Sequence, residues 1–308
     1  MQRYHFFLYL CKNNKKCNQT AVVEIIYTQN SLIEKRNELR GKSLRIGFVP
    51  TMGALHAGHL QLIKQARTEN DIVVCSIFVN PVQFNNPTDL ERYPRNPEQD
   101  IELIRSYCDI LFMPSVQEMY PAPPEETYHF GKLETVMEGY FRPGHFNGVA
   151  VVVKRLFDIV QPDTAYFGKK DFQQLVIIRQ LVKDYDLKLK IQAVDTVREK
   201  DGLAMSSRNK LLSPHARTIA PFIWQTLRQA KNLKDEKNPR EIKAWMTEHF
   251  NKNDFFTLEY VELVNAETLE EINAYSQAET VMACVAVWLD NVRLIDNITI
   301  YSSCKLKS

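Results

Sequence analysis

The stretch Asp71-Ile72-Val73-Val74-Cys75-Ser76-Ile77-Phe78-Val79 constrains the fold most. Its apolar residues run almost unbroken, so it lacks the alternation of a strand with one wet face. It reads instead as a central strand covered on both sides. Other short strand-like segments occupy 22–27, 44–49, 109–113, 164–167 and 188–194. Helical patterns lie between them, at 29–39, 60–66, 97–107 and from about 172 to 185. At 149, 152, 153, 156, 157 and 160 stand Val, Val, Val, Leu, Phe and Val, the stripe of a helix with one apolar face. Strands alternating with helices predict an α/β fold, a parallel sheet with helices on both faces, over residues 22–197. The pattern then changes. Helical segments near 215–232 and 239–250 precede strands at 256–264, 281–289 and 292–300, which predicts a smaller α+β domain over 198–308.

Charge and cysteine usage narrow the setting. A formal net charge of +2 with 44% hydrophobic residues fits neither a nucleic-acid-coating protein nor a disordered one. No apolar run approaches the roughly 20 residues that span a bilayer, so no membrane partner is expected. The six cysteines, Cys11, Cys17, Cys75, Cys108, Cys284 and Cys304, contain no Cys-x-x-Cys pair. Cys75 and Cys284 sit inside apolar strands, as buried free thiols do, and a reducing, cytoplasmic compartment is expected. Residues 1–21 stand apart. Their apolar core, Phe6 to Cys11, is short for a secretory signal and lacks a small-residue cleavage site. The absence of acids leaves an import signal open; the segment reads as a disordered extension.

The chemistry gathers at strand ends. Val49-Pro50-Thr51-Met52-Gly53-Ala54-Leu55-His56-Ala57-Gly58-His59-Leu60 leads from a strand through glycines into a helix, where α/β proteins bind anions. Asn80-Pro81-Val82-Gln83-Phe84, Gly168-Lys169-Lys170-Asp171 and the loop 201–209 also follow strands, so four segments should line one crevice. Three roles are open to His56 and His59: phosphate contacts, a structural pair, or metal ligands. The last lacks a neighbouring carboxylate or cysteine. Lys170 before a helix start and Arg208 after Ser206-Ser207 are placed to bind phosphate charge. No Gly-x-x-x-x-Gly-Lys-Ser/Thr loop occurs, and 139–148 lacks Gly-x-Gly-x-x-Gly spacing. Gln83 and Gln174 are neutral amides able to grip hydroxyl and carboxylate oxygens. Pro50, Met52, Phe78 and Val149 could wall a pocket for a methyl-bearing substrate, or simply pack the core. With no Ser-His-Asp arrangement and no activated cysteine, catalysis would rest on positioning and charge stabilisation.

His56-Ala57-Gly58-His59 resembles the His-x-Gly-His signature of the nucleotidyltransferase superfamily. Joined in order by Ser76-Ile77-Phe78-Val79-Asn80-Pro81-Val82-Gln83-Phe84, Tyr93-Pro94-Arg95, Arg142-Pro143-Gly144-His145-Phe146, Phe167 to Gln174, Gly202 to Asn209 and Arg293-Leu294-Ile295-Asp296-Asn297, it resembles the pantoate–β-alanine ligase family over about 22–301. The resemblance implies an ATP-dependent condensation through an acyl adenylate, with Mg²⁺ on the ATP phosphates. It implies a Rossmann-like domain, a C-terminal lid and a homodimer. It places Met52, Gly53, Ala54, Leu55, His56, Ala57, Gly58 and His59 at ATP, with His59 as proton donor and His56 on phosphate. Gly168, Lys169, Lys170, Asp171, Val197, Met205, Ser206, Ser207 and Arg208 would complete that site. Gln83 and Gln174 would hold pantoate, Gln83 also meeting β-alanine, with Asn80 and His145 as further substrate contacts. Three positions depart from the family pattern: Ala57 where an acid is usual, Lys169 where glutamate is usual, and Asp195 in place of proline. Lys169 is expected to add positive charge at the nucleotide pocket. Other readings are a different nucleotidyltransferase or a nucleotide-binding regulator without turnover; the loop after Val79 suits a small hydroxy acid better than a second nucleotide.

Overall fold

The computed structural model describes residues 23–85 and 87–303; the expected extension at 1–21 lies outside them, as do Cys11, Cys17 and Cys304. In chain order the first part comprises β1 (Glu24–Ile26), α1 (Gln29–Gly41), β2 (Ile46–Thr51), α2 (Ala57–Glu69), β3 (Ile72–Ile77), a 3₁₀ turn (Pro81–Gln83), α3 (Pro87–Arg92), α4 (Pro97–Ile104) and β4 (Ile110–Phe112). It continues with α5 (Val116–Met119), α6 (Met137–Phe141), α7 (His145–Val160), β5 (Thr164–Gly168), α8 (Phe172–Asp184) and β6 (Lys190–Val194). Next come a 3₁₀ turn (Ser207–Leu211), α9 (Pro214–Ile219), α10 (Phe222–Asn232), α11 (Pro239–Asn251), β7 (Phe256–Asn265), β8 (Thr280–Leu289) and β9 (Val292–Ser302).

The six-stranded sheet has the order β1-β4-β3-β2-β5-β6 and every pair is parallel. Its central strands β2, β3, β4 and β5 are buried on both faces, as the unbroken apolar run of β3 requires. Phe48, Val74, Ile110, Phe112, Ala165 and Phe167 face a core made with α1, α7 and α8. Their neighbours Val49, Val73, Cys75, Leu111 and Tyr166 face the opposite core, made with α2 and α4. Cys75, Cys108 and Cys284 are buried free thiols. From β2 the chain runs to β3 on one side, and β5 later joins on the other. The loops after β2 and β5 therefore part at a topological switch point, where such sheets leave a crevice.

The C-terminal part is a separate antiparallel sheet, β7-β8-β9, with α10 and α11 packed on it. Helix α2 is longer than the expected 60–66 and α4 ends before the expected 107, and two further differences have a clear backbone cause. The segment expected as one helix over 215–232 is split, because Pro221 cannot supply an N–H inside a helix and starts α10 instead. Helix α7 begins at His145, ahead of its apolar stripe, because Gly144 adopts a left-handed φ of 80° that turns the chain into it. Met137, Phe172 and Val176 pack against Val264, Leu269, Met282 and Cys284, an apolar seam between the two sheets' domains. Among the described residues no helix is long and apolar enough to cross a membrane.

Candidate active site

A cleft of about 290 Å³ opens at the C-terminal ends of β2, β3, β5 and β6. Met52, His56, Gly58, His59, Gln83, His145, Gly168, Lys170, Asp171, Gln174, Val197, Met205, Ser206, Ser207 and Arg208 all line it. Of the other residues expected at the site, Gly53, Ala54, Leu55 and Ala57 shape the first turn from behind, while Asn80 and Lys169 lie off the cleft wall.

The first turn is built by side chains that consume its own backbone donors. Gly53 supplies a φ of 83° and Ala54 follows at 50°, so the chain doubles back after β2. The carboxylate of Asp100, buried on α4, accepts from the N–H groups of Ala54 at 2.9 Å and Leu55 at 2.7 Å. His56 caps α2: its Nδ1 accepts from Gly58 N at 3.1 Å, and His59 Nδ1 accepts from His56 N at 3.3 Å. The amides of Ala54, Leu55, His56 and Gly58 are thus engaged within the turn, and the two imidazoles line the cleft.

Because each Nδ1 is an acceptor, each neutral ring carries its proton on Nε2. The rings lie 4.2 Å apart, centroid to centroid. Burial, then the charge of Lys170, lowers the His56 pKa to about 4. Burial, then His56, lowers that of His59 to about 3. Near pH 7 both are therefore neutral N–H donors in the ligand-free protein, and His59 presents a hydrogen bond rather than a mobile proton. Ala57 leaves the first turn of α2 without an acid, so the positive end of the helix dipole is unopposed.

The second wall carries the cations. Lys170 leaves β5 with its ammonium 3.5 Å from the Asp171 carboxylate. Opposite, a hairpin returns the chain beneath Val197, whose carbonyl accepts from Met205 N at 2.9 Å. Ser206 then caps the 3₁₀ turn, accepting from Arg208 N at 3.2 Å, and so presents Ser207 and Arg208 to the cleft. Lys169 does not add free charge to the pocket. Its Nζ pairs with Asp195 at 2.6 Å, so two of the departures from the family pattern compensate each other.

Two amides on the cleft wall are weakly committed to protein partners. Gln83 is buried, and its Nε2 has the Met52 sulfur at 2.9 Å as acceptor. Sulfur is a weak acceptor, so a substrate oxygen would replace it at a gain. Gln174 lines the cleft, and among the described residues its amide makes no hydrogen bond to protein. Its neighbour Gln173, in contrast, is buried and fully used by Glu138 N, Leu133 O and Val136 O.

Asn80 and His145 brace Gln83, Asn80 from behind the cleft wall and His145 from within it. Asn80 is fully buried; its Nδ2 donates to Gln83 Oε1 at 3.2 Å and Gly148 O at 3.0 Å, and its Oδ1 accepts from the Tyr120 hydroxyl at 2.9 Å. His145 accepts from Arg142 through Nε2 at 3.0 Å, so its Nδ1 donates to the Gln83 carbonyl at 2.9 Å. Burial and the adjacent Arg142 lower its pKa to about 4. Gly148 lets α7 approach this turn: a Cβ there would lie 2.5 Å from Val82 O.

Four contributors escaped the sequence reading as individual residues: Asp100, Glu138, Arg293 and Asn297. Arg293 on β9 binds both oxygens of Glu138 on α6, each at 2.7 Å, and Glu259 through Nε at 2.8 Å. Burial opposes the charge on Glu138, but its bonds with Arg293 outweigh that and hold its pKa below the usual range. One signal did exist. Asp296 and Asn297 interrupt an apolar strand, and a buried polar pair needs partners.

Comparison with known proteins agrees over nearly the whole chain. Residues 24–299 match the pantoate-β-alanine ligase family. A pantothenate synthetase of Bacteroides thetaiotaomicron is 46% identical over 277 residues, covering 90% of this chain and 98% of that protein. One from Porphyromonas gingivalis is also 46% identical, over 90% of this chain and 99% of its own. The crystal structure of the Thermus thermophilus pantothenate synthetase superposes with a TM-score of 0.84 at 40% identity, covering 91% of this chain and all (100%) of that one. The Francisella tularensis pantoate-β-alanine ligase, solved in complex with β-γ ATP and β-alanine, gives 0.76 at 38% identity, over 91% of this chain and 98% of its own. The chain belongs to the pantoate–β-alanine ligase family.

Proposed function

We propose that this enzyme condenses pantoate with β-alanine to pantothenate at the expense of ATP. In the first step a pantoate carboxylate oxygen attacks the α-phosphorus and the bond to the bridging oxygen breaks, giving pantoyl adenylate and pyrophosphate. In the second, the β-alanine amine attacks the acyl carbon, the bond to AMP breaks, and the amide forms with loss of a proton. Activation is needed because a free carboxylate is a poor acyl donor.

The observation that carries this reading is the convergence of His56, His59, Lys170, Ser207 and Arg208 with Gln83 and Gln174 around one cleft. The first five offer N–H, O–H and cationic donors to a triphosphate. The two amides offer oriented hydrogen bonds to a hydroxy acid, with Gln83 also near enough in the sequence of steps to meet the amine. As negative charge builds on the phosphates, Lys170, Arg208 and the Nε2–H groups stabilise it in a site already arranged to do so.

Among the described residues no group of three or more His, Cys, Asp or Glu side chains could hold a metal ion. Mg²⁺ is assigned to the ATP phosphates, with Asp171 the nearest carboxylate to Lys170, and it would offset phosphate charge when bound. A division of the chain near residue 197, closure of the C-terminal part over nucleotide, a homodimer and a cytoplasmic location belong to the same proposal. The test is direct. Incubated with ATP, Mg²⁺, pantoate and β-alanine, the purified protein should release AMP and pyrophosphate; no AMP with all four present rejects the proposal.

A further inference from the structure

We propose that Asn297, on the C-terminal sheet, is a positioning residue that sets the reach of Lys170 in the opposite domain. This rests on the role given to Lys170 above. Asn297 is buried, borders the cleft, and stands in β9 opposite Cys284. Its Nδ2 donates to the backbone carbonyl of Lys169 at 3.0 Å and that of Lys170 at 2.8 Å. Carbonyls only accept, so these two neighbours fix which end of the amide faces the loop. The side chain is a two-pronged donor spanning consecutive peptide units.

Asn297 is itself held. Its N–H donates to Asp296 Oδ1 at 2.8 Å, and its carbonyl accepts from Arg198 at 3.4 Å. Arg198 binds both Asp296 oxygens, at 2.6 and 3.0 Å, and lies 3.4 Å over the Trp224 ring. On the far side of the loop, Lys169 N donates to Val194 O at 2.8 Å, so the Lys169–Lys170 backbone is pinned between β6 and β9. Among the described residues the Lys170 ammonium has only the loose pair with Asp171. An anchored backbone carrying a cation with one loose partner suits a residue that must meet charge as it develops, where about 1 Å of misplacement can cost on the order of 100-fold.

The test uses the full chain and the variants Asn297→Ala, Asn297→Asp and Asn297→Thr, each also combined with Lys170→Ala. The readouts are kcat and KM for pantoate-dependent pyrophosphate release, with thermal unfolding as a control. Asn297→Ala should lower kcat by about 10- to 100-fold with KM for pantoate changed less than about threefold. Asn297→Asp has the same shape but turns acceptors toward the two carbonyls, so it should be no better than Ala. Asn297→Thr keeps one donor on a β-favouring side chain and should recover part of the rate; it also serves if Ala fails to fold. In the Lys170→Ala background none of the three should cost more than about another twofold. Wild-type kcat in Asn297→Asp, or the full Asn297→Ala loss recurring without Lys170, overturns the proposal. Near-wild-type turnover in Lys170→Ala alone brings down the reading of the site and this inference with it. An impaired Lys170→Ala with silent Asn297 variants brings down this inference only.

Discussion

The two turns that flank the cleft are held in different ways. In the turn between β2 and α2, His56 and His59 cap their own helix, and Asp100 of α4 takes two of its amides. The turn between β5 and α8 pairs its cation with the adjacent Asp171 and has its backbone fixed by Asn297 from another sheet. The difference bears on how the proposed phosphate site is built. In that reading, neutral imidazole donors come from a turn held by its own caps and by Asp100 of α4, and a cation comes from a turn braced by the C-terminal sheet.

The largest expected effects come from removing one donor on each side. His59→Ala and Lys170→Ala should each lower kcat by at least about 100-fold in steady-state assays, the scale of a contact made to transition-state charge. Wild-type turnover in either would reject its assigned role while leaving the fold intact. Next is the staple of the first turn. Asp100→Ala strands two N–H groups, one of them on buried Leu55, and should cost about 2–3 kcal/mol in urea unfolding. An unchanged midpoint would mean the turn stands without it.

The turns should also separate by pH. In the folded, ligand-free protein the pKa values of His56, His59 and His145 are lowered from 6.5 to about 4, about 3 and about 4. Between those values and 6.5 the unfolded chain binds more protons, so stability is full above pH 6.5 and falls as the pH drops toward 4. Denaturation midpoints measured across that window should show the slope, and His59→Gln should flatten it. Lys170→Ala should leave it largely in place. The smallest effect belongs to the exposed Lys169–Asp195 pair. Lys169→Glu should change unfolding free energy by less than about 1 kcal/mol, and Lys169→Glu with Asp195→Lys should restore it; a large drop in ATP affinity would show that Lys169 serves the pocket after all.

What the sequence made legible follows the same division. Apolar runs marked the central strands of the parallel sheet, because burial on both faces is a local compositional demand, and the edge strands β1 and β6 carry polar residues among theirs. His56, His59, Gln83 and Lys170 could be grouped because each follows a strand end, and the fold brings them to one cleft with Gln174 of α8 and Arg208 of the later loop. Asn80 and His145 were legible as polar residues near the site, but their partners were not, so they read as substrate contacts when they brace Gln83. The supports were hidden by distance along the chain. Asp100 lies 45 residues from Leu55, Asn297 lies 128 from Lys169, and Arg293 lies 155 from Glu138. Periodicity carries no record of pairings at that range. At Pro221 the missing N–H breaks a helical pattern that otherwise continues on both sides.

The most direct test of the central claim is isotope exchange between labelled pyrophosphate and ATP, with Mg²⁺ present and β-alanine left out. A cleft in which Gln83 and Gln174 set a hydroxy acid against the α-phosphate predicts exchange that requires pantoate and needs no amine. Exchange without pantoate, or none until β-alanine is added, would contradict it.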